Sequence, residues 1–140
     1  MAYEIEFTAK FTVDNPERYI NDCCWGGDVI RDRLLPAVSG GYEKVQTGQE
    51  DWGWFIWMRH GKQRTHADIY CDDKVSGSYR IHIYGAQRKW LRLKLVDGDD
   101  IDHVKSLTVN EIDKWGRITR VQRFTPDFQT EQGTGGEGGI

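Results

Sequence analysis

Between positions 52 and 96, aromatic and β-branched residues alternate with cations and are interrupted only by short polar turns, and no other stretch limits the fold as tightly. Side chains along a strand point alternately to its two sides, so this alternation specifies half-buried strands. The spacing predicts four of them, at 52–60, 64–71, 79–85 and 88–96. In the second, Ala67, Ile69 and Cys71 share one side and His66, Asp68 and Tyr70 the other. In the third, Tyr79, Ile81 and Ile83 oppose Arg80, His82 and Tyr84, and in the fourth, Leu91, Leu93 and Leu95 oppose Trp90, Arg92 and Lys94. The aliphatic sets are assigned to a shared core, because a slip of one residue would turn all of them to water. In the first strand, Trp52, Trp54, Ile56 and Met58 are assigned to the core. Phe55, Trp57 and Arg59 then fall on the second face, where the two aromatic rings join the polar residues or lie under a terminal segment.

The flanking sequence completes an α+β reading. Positions 3–13 alternate as a half-buried strand, with Glu4 and Glu6 on the polar side. Asn15-Pro16-Glu17 reads as a helix start, Gly26-Gly27 as a break, Asp28 as the cap of a second piece and Pro36 as its end. A short strand is expected at 42–46. After the acidic run at 97–100, Ile101, Val104, Leu107, Thr108, Ile112 and Trp115 recur at helical spacing until Gly116. A charged strand at 117–124 belongs at a sheet edge, where cations deter pairing with other chains. The expected fold is a single, mainly antiparallel sheet of five to seven strands packed on two helices, in the order β-α-β(4–5)-α-β. Positions 1–126 form one domain and the glycine-rich 127–140 a disordered tail.

A chain of 140 residues can close a core without disulfides or metals. Its three cysteines, two of them adjacent at Cys23-Cys24, show no CxxC spacing and suit reduced thiols. No apolar run is long enough to span a bilayer, and Met1-Ala2-Tyr3-Glu4 lacks the regions of a signal peptide, so a cytoplasmic protein without membrane contact is expected. The net charge of −3 conceals an asymmetry: from Arg59 to Lys94 nine Lys or Arg stand against three acids, and elsewhere ten stand against nineteen. Such a dipole steers an acidic partner toward one face.

Three chemistries compete for that face. His66 and Asp68 share one side of a strand and His82 points the same way from its neighbour, so an acid–base pair for metal-independent phosphodiester hydrolysis is conceivable, with Arg80, Arg92 or Lys94 stabilising charge. The plainer reading, a hydrogen-bonded network on a sheet face, carries more weight because no catalytic signature accompanies it. His60, His66, His82, His103 and the cysteines match no zinc spacing, and neither a phosphate loop nor a dinucleotide motif is present, so no metal or cofactor is expected. Of the six tryptophans, Trp52, Trp54 and Trp115 suit a core, whereas Trp90, between Arg88 and Arg92, suits a surface anchor. The favoured expectation is a small non-enzymatic interaction module, inhibitor- or immunity-like, that binds an acidic macromolecule through Tyr70, Arg80, His82, Tyr84, Trp90, Arg92 and Lys94. Single-stranded nucleic-acid binding by the same face is the second reading, and the His66, Asp68 and His82 phosphodiesterase the third.

Overall fold

In the computed structural model, which describes residues 1–89, 92–98 and 100–128, one antiparallel sheet of seven strands carries two helices on a single face. The strands are β1 (Ala2–Thr8), β2 (Lys44–Glu50), β3 (Gly53–His60), β4 (Gln63–Asp73), β5 (Ser78–Lys89), β6 (Arg92–Val96) and β7 (Arg117–Phe124). The helices are α1 (Gly27–Val38) and α2 (Ile101–Ile112). The spatial order is β2-β3-β4-β5-β1-β7, and β6 pairs with the part of β5 that β1 leaves uncovered. Sequence-adjacent strands therefore form the meander from β2 to β6, and β1 is inserted between β5 and β7. Among the described residues no helix is long and apolar enough to cross a membrane.

Register follows the two-residue period. Ile56, Ala67, Ile83 and Tyr3, with Trp54, Ile69, Ile81 and Ile5 beside them, stand in successive cross-strand pairs on the helix-covered face. Ile30, Leu34 and Val38 of α1 and Ile101, Val104 and Ile112 of α2 pack onto them. Complete burial of one such aliphatic side chain contributes about 1.5–3 kcal/mol, so the register is held by several residues on each central strand. Ala9, Phe11 and Val13 also reach this core, although β1 ends at Thr8 and the chain beyond it is not strand.

Five local expectations are corrected. Asn15 does cap a helical turn, by accepting from Glu17 N–H, but Pro16–Arg18 is a 3-10 turn and is followed by a second, Asp22–Cys24, capped in the same way by Asn21. The continuous helix begins only at Gly27 and runs through Pro36 to Val38, since a proline in the last turn forfeits one hydrogen bond and its ring meets only the turn before it. Asp28 is buried in the first turn of α1, where it accepts from Tyr19 Oη at 2.7 Å and pairs with Arg18. Trp52 lies in the β2–β3 turn and packs on Tyr70 instead of entering the core.

The fifth correction matters most. The spacing of the strands at 79–85 and 88–96 predicts a reversal at Gly85-Ala86-Gln87, yet β5 continues straight through it and the last pair of the β5–β6 hairpin is Lys89 with Arg92. Gly85 is needed for close approach: a Cβ there would lie 2.7 Å from Val96 O and 3.0 Å from Ile101 Cδ1. Moving the reversal exchanges the two sides of β6. Leu93 and Leu95 pair with Arg88 and Ala86 on the second face, where they are exposed, and Arg92 and Lys94 pair with Lys89 and Gln87 on the helix side.

Candidate functional site

The second face is a lattice of cross-strand rows. One row runs Gln46, Trp57, His66, Tyr84; the next runs Gly48, Phe55, Asp68, His82, Glu4, Gln122; a third contains Tyr70, Arg80 and Glu6. His66, Asp68, Tyr70, Arg80, His82 and Tyr84 therefore share one surface, as the alternation predicts. Arg92 and Lys94 lie on the other side of the sheet, and Trp90 lies outside the described residues.

The aromatic rings of this face are packed against one another. Trp57 stacks on Phe55 at 4.2 Å and on His66 at 5.0 Å, and His66 meets Tyr84 at 4.7 Å. Tyr70 is touched by Trp52, by His82 and by the Arg80 guanidinium at 4.8 Å. Gly48 makes room for this layer, since a Cβ there would sit 2.8 Å from Phe55 Cζ. Phe128, with φ of 62°, turns its ring back over the face, 4.7 Å from His82 and 5.7 Å from Tyr84. The tail expected from 127 thus begins with a packed residue, and its remainder from 129 lies outside the described residues.

Beneath the rings lies a buried polar chain. His66 is 2% and Asp68 5% exposed. Tyr84 Oη donates to Asp68 Oδ2 at 2.6 Å, so the same oxygen accepts from His66 Nδ1 at 3.1 Å. This pattern assigns the Nδ1–H tautomer to His66 and leaves Nε2 as an acceptor. His66 Nε2, Asp68 Oδ1 and Trp57 Nε1 have no hydrogen-bond partner among the described residues, although the Trp57 indole faces Asp68 closely enough to favour its ionised form. Burial raises Asp68 to about 6, against the pull of Tyr84 and Trp57, and burial together with the Arg64 charge lowers His66 to about 4. His66 is consequently neutral near pH 7, and Asp68 is ionised at a desolvation cost.

The cations divide into two groups. In the centre they are neutralised: Arg80 bonds Asp72 at 3.0 Å and reaches Glu4 at 3.5 Å, and Arg120 pairs with Glu6 at 3.7 Å. His82 Nε2 donates to Glu4 Oε2 at 2.7 Å, and burial lowers its pKa despite that carboxylate. Glu4 is itself held below the usual range: burial would raise it, but His82 and Arg80 outweigh that effect. At the end of the sheet near the β3–β4 turn the cations have no such partners. Lys44 stands opposite Arg59, Arg59 opposite Arg64, and Arg64 opposite Ala86, with Arg88 two residues on. No carboxylate forms an ion pair with these four among the described residues. Lys44, Gln46, Trp57, Arg59 and Arg64 line a shallow hollow, and the exposed Leu93 and Leu95 flank Arg88 and Ala86. Like charges set directly opposite across strands are destabilising, so this row is kept at a cost to the fold.

Sequence reasoning missed this open end. Arg59 was already on the parity of Phe55 and Trp57, which was the available signal, but Lys44 and Arg88 depended on the β2–β3 and β5–β6 registers. The central neutralisation was also hidden, because nothing local to Glu4 and Glu6 reveals that β1 lies beside β5. Among the described residues no three His, Cys, Asp or Glu side chains gather to hold a metal ion. The chain matches no protein-family model, and no curated protein or solved structure matches it significantly.

Proposed function

We propose that the protein is a non-enzymatic interaction module that takes an acidic protein segment on the basic end of its second sheet face, in the manner of a small inhibitor or immunity protein. The observation that carries this reading is the row Lys44, Arg59, Arg64 and Arg88, unneutralised by any described carboxylate and bordered by Leu93 and Leu95. Arginines beside exposed aliphatic groups are the composition of a protein-docking patch. One feature favours a protein over nucleic acid. The stacking surface of Trp57 is already shared by Phe55 and His66, so it offers little to a base. Hydrolysis by His66 and Asp68 is disfavoured by their burial beneath the rings, which keeps substrate away from His66 Nε2.

The test is a titration with polyglutamate and with a single-stranded oligonucleotide of matched charge at low salt. Polyglutamate binding should weaken at least tenfold, about 1.4 kcal/mol, in an Arg59→Glu/Arg64→Glu variant and persist in Arg92→Glu/Lys94→Glu, which alters the opposite side. Tighter oligonucleotide binding would transfer the proposal to nucleic acid. Binding of neither polymer, or equal loss in both variants, would refute it.

A further inference from the structure

Of the edge strands of the sheet, β7 and β2 are defended unequally. β7 carries Arg117, Arg120 and Arg123 along its length, which is the usual protection of an edge strand. β2, Lys-Val-Gln-Thr-Gly-Gln-Glu, has neither proline nor bulge and holds charge only at its two ends. Its hairpin with β3 closes through the pair Glu50 and Gly53. In an antiparallel ladder alternate residues bond the same neighbour, so Glu50, Gly48, Gln46 and Lys44 direct their N–H and C=O groups to β3. Val45, Thr47 and Gln49 direct theirs outward, and these outward groups have no backbone partner among the described residues.

We infer that β2 pairs antiparallel with β2 of a second copy of this chain, about a two-fold axis through Thr47. The register that centres on Thr47 matches the outward set to itself: Thr47 faces Thr47, and Val45 faces Gln49. It also places Lys44 of each copy opposite Glu50 of the other, so the two end charges of the strand complement each other twice, which an isologous contact requires. A second observation supports this register. Gln49 lies on the helix side, opposite Trp54, and its side chain holds the 3-10 segment by accepting from Ile20 N at 2.8 Å and donating to Arg18 O at 3.1 Å. That places Ile20, 58% exposed, next to the position that Val45 of the second copy, 37% exposed in the single chain, would occupy. Two apolar side chains otherwise left in water cover each other at both ends of the contact. Lys44 gains a carboxylate in the pair, which leaves Arg59, Arg64 and Arg88 as the open cations for the proposed acidic partner.

Sedimentation of the full chain should give a concentration-dependent dimer of the 16.2 kDa protein. Lys44→Glu places like charges together at both ends and should weaken the dimer about tenfold, and Lys44→Glu/Glu50→Lys should restore it, because the swapped charges face each other again. Thr47→Pro removes only an outward N–H and should give a folded monomer with an unchanged circular dichroism spectrum. A monomeric wild type, a dimer that persists in folded Thr47→Pro, or a charge swap that fails to restore association would each overturn the inference.

Discussion

Asp68 and His66 act on stability in opposite directions, although one hydroxyl, that of Tyr84, joins them. The folded-state pKa of Asp68 is raised, so the native state holds its proton more tightly than the unfolded chain. Its contribution is fully present below pH 3.8 and is lost as the pH rises to about 6. The folded-state pKa of His66 is lowered, so its neutral form is compatible with the fold above pH 6.5 and stability falls as the pH drops toward 4. The two slopes offset each other across the same window, which a single-site change should reveal. In Asp68→Asn, the unfolding free energy relative to wild type should improve by about 2–3 kcal/mol between pH 4 and pH 7, read by denaturant unfolding at a series of pH values. A pH-independent difference would show that Asp68 is not desolvated as described. The site was half legible at this scale. Parity alone put Phe55, Trp57, His66, Asp68, His82 and Tyr84 on one face, but it gave no sign that Trp57 would stack between Phe55 and His66 or that Phe128 would be the residue over His82 and Tyr84, since ring packing depends on rotamers and on segments distant in the chain.

Among the elements, β5 decides most. It pairs with β4 along one edge and with β1 and β6 along the other, and its straight passage through Gly85 sets which side of β6 faces the helices. Gly85→Ala would push a methyl group into Val96 O and Ile101, so it should destabilise the protein by about 1–3 kcal/mol. Gly61→Ala, at a turn with φ of 64° and nothing within 4 Å, carries only the cost of its backbone conformation, about 1 kcal/mol. Thermal or chemical unfolding of the two variants should rank them in that order. β3, β4, the first half of β5 and α2 were legible from periodicity because each buries one face. The β5–β6 reversal was not, because a glycine selected for close approach has the same one-letter signature as a glycine selected for a turn. The early helical segment failed for a related reason: Asn15 and Asn21 are genuine caps, but too few apolar residues follow either one to sustain a helix beyond one turn.

For the whole molecule, the basic centre expected from charge counting is dismantled by topology. Inserting β1 between β5 and β7 brings Glu4 and Glu6 against Arg80 and Arg120, so the local excess of cations survives only at the far end of the face. Association with an acidic segment should accordingly depend on few charges. The affinity of polyglutamate should fall as salt rises past the point where the screening length, about 10 Å at 0.1 M, becomes shorter than the row is wide, and salt-independent binding would place the contact on Leu93 and Leu95 instead. The same insertion has a temporal consequence. Glu4 and His82 are 78 positions apart, so at about 5–20 residues per second of synthesis the first strand waits roughly 4–16 s for its neighbour to be made. During that interval a fully alternating segment, with Tyr3, Ile5 and Phe7 on one side, lacks both of its native neighbours, so its apolar side stays exposed until β5 and β7 are made.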